Sequence, residues 1–215
     1  KKETVPDGTT GGLKTVAVRM PSHPDARALI RESGRMIAAP SANTSGRPSP
    51  TTALHVLEDM DGKIPMILDG GPVGIGIEST IVDMTGEVPM ILRPGYITKA
   101  MLESAVAGRQ MPKNVVAKAP GMKYRHYAPK GQLTLVEGDA GKVIEKINQL
   151  AQEKEKDGFR VGIIGTDETI GEYRTGIRRS IGSREHPDSV AANLYSILRE
   201  CDALGLDYIY SESFF

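Results

Sequence analysis

Tryptophan is missing from this 215-residue chain, Phe and Tyr together make only 5 % of it, and cysteine occurs once, as Cys201. So few aromatic rings argue against an RNA module that stacks bases on its side chains. A single cysteine can build neither a disulfide framework nor a cysteine-rich zinc site, and it fits a reducing compartment. No apolar run approaches the ~18 residues of a membrane-spanning helix, and Lys1-Lys2-Glu3 opens nothing like a secretory signal. The expectation is a soluble, cytoplasmic protein with no membrane partner. Several catalytic signatures are lacking too: G-x-x-x-x-G-K-[ST], G-x-S-x-G and H-E-x-x-H do not occur. His23, His55, His126 and His186 lie far apart in the chain, so metal-assisted hydrolysis and covalent serine or cysteine catalysis lose ground.

Glycine and proline, by contrast, are plentiful: 24 and 14 residues, about 18 % of the chain, against a usual ~12 %. This is the composition of a loop-rich α/β protein, long enough for one large domain or two modest ones. The zero net charge hides an asymmetry, because residues 1–130 hold 17 Lys and Arg against 12 Asp and Glu, and residues 131–215 hold 10 against 15. No acidic residue falls between Glu103 and Glu137, where Arg109, Lys113, Lys118, Lys123, Arg125 and Lys130 alternate with Pro112, Pro120, Gly121 and Pro129. The reading is a domain over 1–108, a basic interdomain linker over 109–130 and a second domain over 131–215.

Periodicity places strands at 13–20, 35–39, 64–68, 79–84 and 88–92, and helices at 23–32, 52–60 and 98–106. In the second half, 132–136, 141–155, 160–165, 176–181, 189–203 and 207–210 read strand, helix, strand, strand, helix, strand. The chemistry-bearing groups are hydroxyls, an amide and guanidiniums in loops: Ser41, Asn43, Thr44, Ser45, Arg47 and Ser49 in one, Ser79 and Thr80 after a glycine-rich turn, Arg93 before Pro94-Gly95. Such groups suit an anionic ligand. Ser49-Pro50 ahead of a helical pattern reads as an N-cap and first-turn pair, and a helix N-terminus presents free N–H groups to phosphate. The same clusters also read as ordinary capped turns.

The run Ala38-Ala39-Pro40-Ser41-Ala42-Asn43-Thr44-Ser45-Gly46-Arg47-Pro48-Ser49-Pro50-Thr51, then Gly76-Ile77-Glu78-Ser79-Thr80-Ile81-Val82-Asp83, then Leu92-Arg93-Pro94-Gly95, resembles the YrdC/Sua5 family of threonylcarbamoyl-AMP synthases. Gly121-Met122-Lys123-Tyr124-Arg125-His126-Tyr127-Ala128-Pro129 is similar to the linker of the longer, two-domain members. The resemblance implies an α/β fold: the C-terminal portion of a YrdC-like twisted open sheet with helices, followed by a smaller Rossmann-like α/β Sua5 domain. It also implies a further segment before Lys1, carrying part of the threonine pocket and a basic cluster for the triphosphate.

The activity implied is formation of threonylcarbamoyl-AMP and pyrophosphate from ATP, L-threonine and bicarbonate, for the t6A modification of tRNA. Mg²⁺ is implied on the phosphates, and a threonylcarbamoyl transferase downstream. Residue by residue, the resemblance puts Thr15, Ser41, Asn43, Ser49, Arg93 and Tyr127 at ATP, and Arg19, Ala39 and Ser79 at threonine, with no covalent catalyst. The basic linker is expected to fold over the phosphate end of the cleft. Each assignment has an ordinary counterpart. Thr15 and Arg19, four apart on a strand, share one face and could be its polar side. Ser79 and Thr80 could be plain β-formers, and Arg93 a surface residue. Gly162, Gly165 and Thr166 at a strand end hint weakly at a nucleotide turn. The alternative function is an RNA-binding or regulatory module, with weak tRNA or double-stranded RNA binding through the basic stretch.

Overall fold

A computed structural model describes residues 5–10, 14–105 and 128–214. Its first half holds a one-turn helix α1 (Asp7–Thr10), helix α2 (Pro24–Ser33) and helix α3 (Ala53–Met60), then strands β1 (Ile81–Asp83) and β2 (Met90–Arg93) and helix α4 (Lys99–Ala105). Local chemistry explains the helix ends. His23 caps α2 by accepting the Asp25 N–H on Nδ1 at 3.2 Å, Pro24 opens its first turn, and Gly34 closes it at φ 58°. Helix α3 is capped by Thr52, whose Oγ1 accepts from the His55 N–H at 3.3 Å. The cap expected at Ser49-Pro50 is therefore corrected by three residues, and Ser49 is left available for a different partner.

Strands β1 and β2 pair antiparallel, with a bulge between Ile81 and Val82. The expected strands at 13–20, 35–39 and 64–68 are a second correction: among the described residues these segments enter no ladder. Val18, Met20 and Met36 on them are 91 %, 87 % and 83 % exposed. Alternation specifies which face is apolar, but a strand also needs a neighbour to take its N–H and C=O groups, and that neighbour is not written in the local pattern.

The second half follows its sequence pattern closely. Strand β3 (Gln132–Val136), helix α5 (Ala140–Lys156), strand β4 (Val161–Gly165), a 3₁₀ turn (Ile170–Glu172), strand β5 (Ile177–Ser180), helix α6 (Pro187–Ala203) and strand β6 (Tyr208–Glu212) form a parallel sheet in the order β3-β6-β4-β5. The crossover through α5 runs one way across the sheet and the crossover through α6 runs back, so connections of one hand place the two helices on opposite faces. Side chains alternate accordingly. Val161, Ile163 and Tyr210 pack with Val143, Ile147 and Ala151 of α5, while Ile164 and Ile209 pack with Tyr195, Leu198 and Cys201 of α6. Each fully buried Ile contributes roughly 1.5–3 kcal/mol.

Gly162 and Gly165 serve this packing, since a Cβ would come within 2.5 Å of Leu206 Cδ1 at the first and 2.7 Å of Tyr173 Cε2 at the second. The hint of a nucleotide turn there gives way to a structural role. At the carboxyl ends of the strands, buried Glu212 accepts the Thr166 N–H at 2.8 Å, the Thr169 hydroxyl at 2.5 Å and the Tyr173 hydroxyl at 3.0 Å. No helix among the described residues is long and apolar enough to cross a membrane.

Helix α6 also lies against the first half. Its Arg199 donates from Nε to the Pro48 carbonyl at 3.0 Å and from Nη2 to Asp59 Oδ2 at 2.7 Å. Further along, the Ala191 carbonyl accepts the Gly76 N–H at 3.0 Å, and Asp188 accepts the Tyr96 hydroxyl at 3.1 Å.

Candidate functional site

The hydroxyl-rich segment at 40–51 is a folded loop held by its own polar groups. Asn43 Nδ2 donates to the carbonyls of Thr44 and Arg47, both at 3.0 Å, closing a turn that passes through Gly46 at φ 91°. A glycine suits that left-handed position. Asp59, at the end of α3, anchors the same turn from below: Oδ2 accepts the Thr44 N–H at 3.1 Å and Oδ1 is bonded by Arg47 Nη1. The Asp59 side chain is fully buried. Burial works against its charge, but the hydrogen bond from Arg199, the Thr44 amide and the two guanidinium charges outweigh it and hold the carboxyl below its ordinary range. At the far end of the loop, Thr51 gives both its N–H and its hydroxyl to His55 Nδ1 at 3.2 Å. Burial, then the charge of Arg199, push the His55 imidazole below its usual range, so it serves as a neutral acceptor.

This loop meets the two later motifs through one carboxylate. Ser49 Oγ donates to Glu78 Oε1 at 3.0 Å, and Glu78 Oε2 faces Arg93 Nη2 at 3.3 Å. Arg93 also donates from Nε and Nη2 to the Ser79 carbonyl at 3.2 and 2.7 Å. The chain then turns at Gly95, where a Cβ would sit 2.3 Å from the Glu78 carbonyl oxygen and 2.5 Å from the Thr80 nitrogen; only glycine permits that approach. The Tyr96 N–H closes the turn onto the Glu78 carbonyl at 3.2 Å. Three segments far apart in sequence thus converge on Ser49, Glu78, Ser79 and Arg93.

Of the residues expected at ATP, Asn43, Ser49 and Arg93 belong to this constellation or brace it, and Ser41 is exposed on the same loop. Ser79 joins through its carbonyl and is itself exposed. Ala39 is exposed just ahead of the loop. Thr15 and Arg19 lie exposed on the extended segment 14–20, and no hydrogen bond among the described residues joins either to Ser49, Glu78 or Arg93. They are not the polar face of a paired strand. Tyr127 and most of the basic segment 109–130 lie outside the described residues, as does His126.

Sequence reading passed over Glu78, Asp59 and Arg199. Glu78 stands inside the quoted Gly76-to-Asp83 motif beside Ser79, and a lone acidic residue between an apolar pair and two hydroxyls was the available signal. Asp59 and Arg199 carried none, because 140 residues separate them. As chemistry, the constellation offers one guanidinium, one carboxylate and several hydroxyls around exposed backbone. Such a set is chemically able to orient and neutralise an anion, and it contains no activated nucleophile. No group of three or more His, Cys, Asp or Glu that could hold a metal occurs among the described residues.

A family model described as "Telomere recombination", covering the Sua5, YciO and YrdC proteins, matches residues 1–95. A second, described as "Threonylcarbamoyl-AMP synthase, C-terminal domain", matches residues 97–215. The threonylcarbamoyl-AMP synthase of Bacillus subtilis is 47 % identical over 219 aligned residues, spanning 100 % of this chain and 62 % of that protein. The Pyrococcus abyssi enzyme of the same name is 45 % identical over 99 % of this chain and 62 % of its own length. A crystal structure of P. abyssi Sua5 complexed with L-threonine superposes with a TM-score of 0.87 and 46 % identity, over 98 % of this chain and 62 % of that one. The chain therefore spans about three-fifths of the length of these relatives.

Proposed function

Because the chain belongs to the Sua5/YrdC family, in the form that carries the threonylcarbamoyl-AMP synthase C-terminal domain, we propose that its site takes part in making threonylcarbamoyl-AMP. The substrates are ATP, L-threonine and bicarbonate; pyrophosphate and water are the other products. The observation that carries this reading is the convergence of Ser49, Glu78, Ser79 and Arg93 from three separate motifs.

The reaction asks for positioning and charge neutralisation. The threonine amine attacks the bicarbonate carbon, a C–N bond forming as a C–O bond breaks and water leaves, and one oxygen of the resulting carbamate attacks the α-phosphorus in line. A P–O bond to the carbamate forms as the bond to the departing pyrophosphate breaks. Arg93, fixed by its forked contact with the Ser79 carbonyl, presents a guanidinium to the phosphates. Ser41, Asn43 and Ser49 supply uncharged donors from the loop, and Tyr127 is assigned to the nucleotide as well. Ser79 is assigned to threonine, together with Ala39 through its backbone and Arg19 toward the carboxylate. Mg²⁺ would neutralise phosphate charge; its preference for water and phosphate oxygens fits a site offering one nearby carboxylate, Glu78. The product's use in tRNA modification by a threonylcarbamoyl transferase follows from the same reading.

The test is pyrophosphate release from ATP by the full-length protein, measured with and without threonine and bicarbonate. Release that requires both supports the reading; release indifferent to threonine refutes it.

A further inference from the structure

The three site motifs share a support that lies outside their own half of the molecule. Helix α6 packs apolar side chains on the second-half sheet and also bonds to each motif in turn. Arg199 holds the Pro48 carbonyl, one residue before Ser49; Ala191 holds the Gly76 amide, two residues before Glu78; Asp188 holds the Tyr96 hydroxyl, three residues after Arg93. Arg199 is 2 % exposed at the side chain and Asp59 is fully buried. Its remaining nitrogen, Nη1, faces Glu58 Oε2 at 3.7 Å, and Arg47 reaches the same carboxylate at 3.8 Å.

Burying a charge pair contributes little net stability compared with an apolar pair of the same volume, but removing one partner strands the other charge, so each holds the other in place. Asp59 has three such obligations: the Thr44 amide and Arg47 from the loop, and Arg199 from α6. The guanidinium has a matching set, since its planar fork bridges the Asp59 carboxylate and the Pro48 carbonyl together. An ammonium group could reach one of them and not both in the same plane.

We propose that Arg199 is a positioning residue for the nucleotide end of the site: by clamping Asp59 and the Pro48 carbonyl it sets the 43–49 loop so that Ser49 meets Glu78, the carboxylate that faces Arg93. The proposal rests on the functional reading above. It makes the second domain part of the adenylate-forming machinery, with α6 as the rod along which the three motifs are registered. Gly76 gives an independent handle on the same contact, because a Cβ there would stand 2.3 Å from the Ala192 carbonyl oxygen and push the motif off the helix.

The experiment compares full-length wild type with Arg199→Lys, Arg199→Met and Gly76→Ala, reading KM for ATP, KM for threonine, kcat and the melting temperature. Arg199→Lys keeps the charge beside Asp59 and loses the carbonyl bridge. The expected result is a melting temperature within a few degrees of wild type with KM for ATP raised about tenfold and KM for threonine nearly unmoved, since a displaced loop misplaces the nucleotide first. Gly76→Ala should give the same split between the two KM values through a different contact, with a lower melting temperature because its Cβ meets backbone. Arg199→Met removes the charge and should be worse in both respects. Wild-type KM for ATP in Arg199→Lys and Gly76→Ala overturns the proposal. So does equal loss toward both substrates that tracks the fall in melting temperature, which marks a merely structural pair. A wild-type protein without threonine-dependent pyrophosphate release overturns the functional reading, and this proposal with it.

Discussion

Glu212 offers a severe test of how the second domain is held together. Its carboxylate is 2 % exposed, with Oε1 accepting from the Thr166 amide and the Thr169 hydroxyl and Oε2 from the Tyr173 hydroxyl. Arg184 stands 3.5 Å from Oε1, but its side chain is 36 % exposed and water would largely replace that contact. Glu212→Ala leaves the Tyr173 hydroxyl, on a residue 1 % exposed, without its acceptor, while Thr166 N keeps only Thr169 Oγ1 at 3.1 Å. Stranding one buried hydroxyl costs about 1–3 kcal/mol, and the lost charge-assisted bonds cost a similar amount again. A total of about 3–5 kcal/mol corresponds to a melting temperature lower by roughly 10 °C for a chain of this size. Glu212→Gln keeps an oxygen for the Thr166 amide, and its NH₂ can face Tyr173, whose hydroxyl then turns to accept. That variant should cost about 1–2 kcal/mol. Thermal and urea unfolding followed by circular dichroism would read both, and Glu212→Ala combined with Tyr173→Phe should cost clearly less than the two changes summed. The reasoning fails if Glu212→Ala costs under about 1 kcal/mol, or if the glutamine variant is as damaged as the alanine one.

Three further outcomes are expected. Gly95→Ala should lower stability, because the new Cβ collides with backbone at 2.3–2.6 Å, whereas Gly86→Ala, whose nearest neighbour is the Val88 carbonyl oxygen at 3.8 Å, should behave as wild type; equal melting temperatures of the two variants would contradict the turn geometry. The Cys201 thiol is buried and its pKa is pushed up to about 11 by burial and by the charges of Glu200 and Asp202, so a disulfide reagent at pH 8 should label it only as fast as the protein opens, and immediate labelling of native protein would refute this. The Ser183 hydroxyl, donating at 2.6 Å, is the largest reason that Glu168 titrates near 2 rather than at its usual 4.5. A carboxylate depressed in the folded state adds stability above its unfolded pKa and loses it as pH falls toward the folded one, so Ser183→Ala should move the acid-unfolding midpoint upward, and an unchanged midpoint would show the bond to be inert.

The α/β class and the order of elements after residue 131 were legible in the chain itself. Helices such as α5 announce themselves because each buries a face whose period is local, so Val143, Ile147 and Ala151 declare their side before any partner is known, whereas β4 is legible as a short apolar run buried on both faces. The first half resisted the same reading at 13–20, 35–39 and 64–68, since apolar alternation there does not say which neighbour, if any, completes the ladder. Within the site, Ser49, Ser79 and Arg93 could be picked out as residue types fit for an anion. That Ser49 spends its hydroxyl on Glu78 instead of capping α3 could not, because Thr52 three residues on is an equally good cap and only the packed chain chooses between them. The tie from Arg199 to Asp59 and Pro48 is the extreme case: partners 140 and 151 residues apart leave no trace in local pattern, and a buried pair of charges becomes favourable only when folding has brought both out of water at the same place.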